Sequence, residues 1–270
     1  MVRKIRLGAL VSGGGTNLQA IMDACECGGL EAEMAFVGSD NPDAFGLKRA
    51  AERGIPTFVV DYRAVIRAFR ASPQRVELPP DFRIEEVRAK QSLLRQDAHP
   101  GELALFLKTR AIAEAALIEA MRPYPFDLLI LAGFMRNLTP YFIDRVSPDR
   151  TRPRIMNIHP ALLPAFPGTD GYGDTVRYGC KIGGCTVHFI DYGEDSGPII
   201  GQRAFAIHAD DTIEAVRKRG LEQEWQLYPE CIRLFAEDRL RTVRMSHELT
   251  GGKIFERTVV KILPEKGSTR

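Results

Sequence analysis

Ile5-Arg6-Leu7-Gly8-Ala9-Leu10-Val11-Ser12-Gly13-Gly14-Gly15-Thr16-Asn17-Leu18 is the stretch that decides the fold. Ile5–Val11 is short and mostly apolar, and reads as a first β-strand. Basic residues followed by an apolar run resemble a secretory leader. The run, however, ends at Ser12 in a glycine cluster, too early for a leader's apolar region and without a cleavage site. A helical pattern follows from Leu18 to about Cys25. Glycines between a strand and a helix let the backbone approach an anion, and the free N–H groups of the helix start point at it. No Gly-Lys-[Ser/Thr] follows, so this is not a Walker A loop. Leu18 stands where a dinucleotide fingerprint needs its third glycine. A bare phosphate site fits best; the alternative is a tight turn with no ligand.

Reading outward, Ala35–Gly38 is a second strand, 39–42 a turn, and Ala44–Arg53 a helix closed by Gly54. Ile55–Val60 is a third strand. Strand and helix alternate as in an α/β protein with a Rossmann-like, doubly wound, mostly parallel sheet. The stretch from about 62 to 107 carries Pro73, Pro79, Pro80 and Pro100 and many charges. It is long for a βα connection and reads as a partly helical surface insertion. Thr109–Met121 is helical. Asp127–Phe134 is a buried strand, apolar on both faces, and Arg154–His159 is another. Cys185–Ile190 and Ile199–Ile207 form a late pair, giving the sheet a late antiparallel strand. Asp211 or Thr212 caps a long helix that reaches about Asp238. Residues 246–270 form a polar, weakly patterned tail. The expected organisation is one domain over 1–245, interrupted by the insertion.

The 270 residues are 44% hydrophobic and 27% charged with a net charge of +2, so no global field argues for nucleic acid or a membrane surface. Five cysteines at spacings that fit no zinc pattern read as reduced thiols. No apolar stretch is long enough to span a bilayer. A cytoplasmic protein acting on small molecules is expected.

Two further constellations could carry chemistry. Asn157 and His159 lie two apart at the end of a strand, so both point beyond its carboxyl end, where ligands bind in open parallel sheets. An amide donor and an imidazole can stabilise an oxyanion and handle a proton; the alternative is a histidine with a structural hydrogen bond. Asp195, in Asp-Ser-Gly-Pro, is either a turn former or a carboxylate that orients such an imidazole. His188 reads as structural, His99, His208 and His247 as solvated, and Asp40-Asn41 as a turn.

Together these residues resemble the glycinamide ribonucleotide formyltransferase family. Four stretches carry the resemblance: Val-Ser-Gly-Gly-Gly-Thr-Asn-Leu-Gln-Ala from Val11, Leu-Ala-Gly-Phe-Met-Arg from Leu131, Asn-Ile-His-Pro-Ala-Leu-Leu-Pro from Asn157, and Asp-Ser-Gly-Pro-Ile-Ile from Asp195. The resemblance implies that Gly15, Thr16 and Asn17 hold a substrate phosphate. It implies that Asn157, His159 and Asp195 are catalytic and that Glu224 binds ribose. It implies that Phe134, Met135, Arg136, Asn137 and Leu138 line a folate pocket, with Arg110 near the folate tail. The implied co-substrate is 10-formyltetrahydrofolate, with no metal, no nucleic acid and no membrane partner; a homodimer is compatible. The implied reaction is direct attack of the amine of glycinamide ribonucleotide on the formyl carbon, in purine biosynthesis. The alternatives are a formyltetrahydrofolate hydrolase or transfer to a different phosphorylated amine. One departure bears on the acceptor: Thr169-Asp170-Gly171-Tyr172-Gly173-Asp174-Thr175 stands where the family has a histidine-containing loop. The insertion would cover the folate entrance or form an oligomer contact.

Overall fold

The computed structural model describes residues 4–94 and 99–265. Its elements follow in chain order: β1 (Ile5–Val11), α1 (Thr16–Glu26), β2 (Ala32–Ser39), α2 (Phe45–Ala51), β3 (Thr57–Val59), α3 (Tyr62–Ala71), α4 (Ile84–Lys90) and α5 (Pro100–Met121). Then come β4 (Leu128–Leu131), α6 (Pro140–Val146), β5 (Ile155–His159), α7 (Gly171–Arg177), β6 (Ile182–Phe189), β7 (Ile199–Ala206), α8 (Ile213–Ala236), β8 (Leu240–Glu248) and β9 (Ile254–Ile262).

Seven strands form one sheet in the order β3-β2-β1-β4-β5-β6-β7. The pairings from β3 through β5 are parallel, and β6 runs antiparallel to both β5 and β7. All four residues of β4 are buried, because helices cover both faces there. One face packs Leu18, Ile21 and Met22 of α1 with Leu227, Tyr228 and Ile232 of α8. The other packs Ala113 and Leu117 of α5 with Phe142 and Ile143 of α6. Thr212 caps α8, its hydroxyl accepting from the Ala215 N–H at 3.1 Å. No helix of the described residues is long and apolar enough to cross a membrane.

Two expectations need refinement. The 62–107 stretch is partly helical and largely exposed, as expected, but its described residues also pack inward. Phe82, Val87, Leu103 and Leu107 form a small core of their own with Tyr141 of α6, and Tyr62 is fully buried. Helix α5 begins at Pro100, a position that suits proline because its missing N–H would have no partner. The tail is also patterned. Strands β8 and β9 pair from Leu240↔Ile262 to Glu248↔Ile254 around a turn in which Gly251 and Gly252 have positive φ. Both strands are largely exposed, so burial imposes no apolar alternation on them. Residues 266–270 of that tail lie outside the described residues.

Candidate active site

At β1 the chain order reverses: β2 flanks it on one side and β4 on the other. Connections leaving the carboxyl ends of β1 and β4 therefore diverge to opposite faces and leave a crevice. A cavity of about 580 Å³ fills it. Gly15, Thr16, Asn17, Arg110, Phe134, Met135, Arg136, Asn137, Leu138, Asn157, His159, Asp195 and Glu224 all line this one cavity. They come from six separate parts of the chain.

Asn157 and His159 stand at the end of β5, and Asp195 on the loop between β6 and β7. His159 Nδ1 lies 3.1 Å from Asp195 Oδ2, and Nε2 lies 2.8 Å from the Phe166 carbonyl oxygen. A carbonyl oxygen can only accept, and so can a carboxylate. Both ring nitrogens therefore carry hydrogen, and the ring is an imidazolium. Burial opposes that charge, but the Asp195 carboxylate and the Phe166 carbonyl outweigh it and raise the His159 pKa. Burial would likewise raise Asp195, yet its bond to the His159 imidazolium holds it far below the usual carboxylate range. Asp195 Oδ2 also accepts from the Gly168 N–H at 2.9 Å. The residue has a φ of 48°, a left-handed conformation costly for a non-glycine, so the surrounding bonds over-determine its position.

His188 is fully buried, in keeping with its structural reading, and it also supports Asn157. It sits directly across from Asn157 in the β5–β6 ladder. Its Nδ1 faces the Phe189 carbonyl at 3.0 Å, and its Nε2 lies 3.3 Å from Asn157 Nδ2 and 3.6 Å from Asp195 Oδ1. Nδ1 thus donates, Nε2 accepts from the Asn157 amide, and the Asn157 side chain is oriented by its cross-strand neighbour. Only the register of the antiparallel pair brings the two residues together, and sequence spacing carries no signal of it.

The glycine loop turns at Gly15, whose φ is 68°, and a Cβ there would lie 2.8 Å from the Gly46 Cα. Helix α1 starts immediately after it without a side-chain cap. Its first N–H groups are suited to an anion. The Asn17 side chain turns away from the loop: Nδ2 donates to Glu224 Oε2 at 2.6 Å. Tyr172 donates to Glu224 Oε1 at 2.6 Å. Sequence reasoning assigned nothing to Tyr172 individually.

The 134–138 segment is anchored at both ends. The Met135 N–H donates to Ser12 Oγ at 2.8 Å, and Ser12 donates in turn to Asp40. Asp40 also pairs with Arg136 at 2.5 Å while only 2% exposed, so it is an anchor and not merely part of a turn. At the other end, Thr139 donates both its N–H and its hydroxyl to Glu114, at 2.7 and 2.5 Å. Burial pushes the Glu114 carboxyl up to about 7 against those two bonds. Arg110, one helical turn earlier on α5, stacks on the Tyr62 and Phe106 rings, and its buried Nε has no hydrogen-bond partner among the described residues.

The formyl transferase family model matches residues 5–232. A phosphoribosylglycinamide formyltransferase of Haemophilus influenzae is 35% identical over 236 residues, covering 87% of this chain and 89% of that protein. The crystal structure of glycinamide ribonucleotide transformylase 1 from Symbiobacterium toebii is similar with a TM-score of 0.70 and 36% identity, covering 98% of this chain and 96% of that one. A formyltetrahydrofolate deformylase from Pseudomonas putida has a TM-score of 0.64 at 20% identity, covering 97% of this chain and 71% of that one, a likeness of fold.

Proposed function

This chain belongs to the formyl transferase family, and from that premise we infer that it transfers the formyl group of 10-formyltetrahydrofolate to the amine of glycinamide ribonucleotide, in purine biosynthesis. The observation that carries the reading is the sharing of one cavity by the glycine loop, the Asn157–His159–Asp195 trio and the 134–138 segment. Each suits one part of the two substrates: a phosphate, a reacting carbonyl and a flat ring system.

The neutral amine attacks the formyl carbon on N10, forming a C–N bond and placing negative charge on the formyl oxygen. His159 Nε2–H and the Asn157 amide are the donors available to that oxyanion. In the free enzyme the Phe166 carbonyl occupies the Nε2–H, and the oxyanion competes with it for the same hydrogen. Asp195 holds the imidazolium and passes the proton lost by the amine, through water, toward N10. The C–N10 bond then breaks, leaving a formamide and tetrahydrofolate. Gly15 and Thr16 hold the phosphate through backbone N–H groups, and Glu224 accepts from ribose hydroxyls. Arg110, with its unpartnered Nε, faces the carboxylate-bearing folate tail. The 62–107 stretch borders the folate entrance, since Leu93 lines the cavity and Ser92 bridges to Gly193 beside the Asp195 loop. The acidic loop before α7 does not repel an anionic acceptor strongly, because Asp170 is paired with Arg177 and Arg217.

The test is tetrahydrofolate release from 10-formyltetrahydrofolate with and without glycinamide ribonucleotide. Release that depends on the nucleotide is expected. Release without any amine would replace this reading with hydrolysis, and no release in either condition would remove glycinamide ribonucleotide as the acceptor.

A further inference from the structure

Glu224 is buried on α8, and both of its oxygens are engaged by other helices, Oε2 by Asn17 of α1 and Oε1 by Tyr172 of α7. Both partners donate, so the two hydrogen bonds favour the ionised carboxyl against its burial. Asn17 Oδ1 is buried beside it and has no hydrogen-bond partner among the described residues. All three side chains line the cavity. This part of the wall therefore offers acceptors, and it complements a ligand that presents hydroxyl donors.

The chain around Tyr172 is shaped to seat it. Its side chain is 3% exposed. A Cβ on Gly220 would lie 2.1 Å from the Tyr172 Cζ, and a Cβ on Gly171 would lie 2.6 Å from the Pro160 oxygen. Neither glycine has a positive φ, so turn geometry does not require them. They are small because the phenol must pass over α8, and because α7 must approach the residue that follows His159. Phe205 of β7 closes the remaining side, its ring centre 6.1 Å away.

We propose that Tyr172 is a positioning residue for acceptor recognition: its hydroxyl holds the Glu224 carboxylate ionised and fixed toward the hydroxyl-bearing end of the acceptor. The acceptor's identity rests on the reading above; the positioning of Glu224 does not. The titratable groups facing Glu224 are Tyr172 from α7, His159 from β5 and Cys185 from β6. Burial keeps the Tyr172 hydroxyl and the Cys185 thiol protonated, leaving His159 as the facing charge. Burial also drives the Glu224 carboxyl up, while the Tyr172 and Asn17 bonds oppose it. Removing the phenolic hydroxyl removes one of those two donors, and the carboxyl then protonates more readily.

The experiment compares full-length wild type with Tyr172→Phe. In steady state, KM for glycinamide ribonucleotide is expected to rise roughly tenfold, the scale of one hydrogen bond to a charged group. KM for 10-formyltetrahydrofolate and kcat at saturating acceptor should change by less than about twofold. In the ligand-free protein at neutral pH, the infrared difference spectrum of Tyr172→Phe against wild type should gain a carboxylic-acid C=O band. That band should be absent from Tyr172→Phe/Glu224→Gln. Gly220→Ala, which crowds the ring off Glu224, is the second variant and should raise the same KM. An unchanged acceptor KM, or a fall in kcat with KM unchanged, overturns the proposal; so does a folded Tyr172→Phe without the new band. A wild type that ignores glycinamide ribonucleotide would refute the function, while the infrared comparison would still decide the role of Tyr172.

Discussion

At the scale of the residue, the proposed mechanism rests its chemistry and its pH response on the His159–Asp195 pair. Both imidazole nitrogens face acceptors, so the pair is an ion pair in the free enzyme. His159→Ala and Asp195→Ala are each expected to lower kcat by at least roughly 100-fold, the scale of a lost oxyanion or proton-transfer group. Circular dichroism should show the fold retained, and near-normal turnover in either folded variant would remove the pair from the mechanism. The pH dependence follows from the directions of the shifts. His159 is raised, so its contribution is complete below the ordinary histidine value and is lost as pH rises through the raised one. Asp195 is lowered, so its contribution is present above the ordinary aspartate value and is lost only as pH falls through the depressed one. Mutual stabilisation is therefore complete between about pH 4 and pH 6.5, the two ordinary values. The melting-temperature gap between wild type and Asp195→Asn should be widest in that window and should narrow toward alkaline pH. A gap that widens with alkalinity would contradict the assignment. In kinetics, Asp195→Asn should shift the alkaline limb of kcat to lower pH, because His159 loses the carboxylate that raises it.

At the scale of the element, the segment between β4 and α6 owes its shape to contacts that no local pattern encodes. Leu-Ala-Gly-Phe-Met-Arg was singled out only through the family resemblance, and 127–134 was read as one buried strand, whereas β4 ends at Leu131. What holds the segment was not legible, because Ser12, Asp40 and Glu114 approach it from β1, the end of β2 and α5. The same limit hid His188, which meets Asn157 only through the β5–β6 register. By contrast, the glycine loop was legible, since its strand, turn and helix are contiguous and each has its own local signal. Glu114 gives the prediction at this scale. Its carboxyl accepts two hydrogen bonds from Thr139 in a fully buried place. Glu114→Ala leaves two buried donors unmatched and is expected to cost about 2–6 kcal/mol in denaturant unfolding, at about 1–3 per orphaned group. The variant that still folds should bind 10-formyltetrahydrofolate more weakly while its KM for the amine substrate changes little. Equal losses for both substrates would mean that Glu114 supports the whole crevice and not the 134–138 segment.

At the scale of the whole molecule, the sheet order explains why residues 15, 110, 157, 195 and 224 meet. Parallel strands deliver their carboxyl ends to one edge, and the reversal at β1 opens that edge. Alternation of strand and helix was enough to read the parallel, doubly wound sheet from the sequence, but not where the order reverses. The C-terminal hairpin was not readable in this way: β8 and β9 pair with each other, outside the seven-stranded sheet. Its links to the rest include Leu240 and Val260 packing against the core, the Thr242 hydroxyl donating to the Thr151 carbonyl at 2.6 Å, Leu263 N–H donating to the Arg239 carbonyl, and Arg257 donating to the Ser196 carbonyl at 3.1 Å. Ser196 adjoins Asp195, so the hairpin touches the Asp195 loop from outside. Asp195, however, is held by its own bonds to His159 and Gly168, and the Ser196 hydroxyl by Asp191. Deleting residues 245–262 and joining the ends with a short glycine linker should therefore lower kcat by less than about tenfold, the scale of one lost hydrogen bond. The deletion also removes the exposed Ile254, Phe255 and Ile262, so the variant should aggregate less at high concentration, as light scattering would measure. A loss as large as that of Asp195→Ala, in a protein with an intact melting transition, would instead make the hairpin part of the machinery that fixes Asp195.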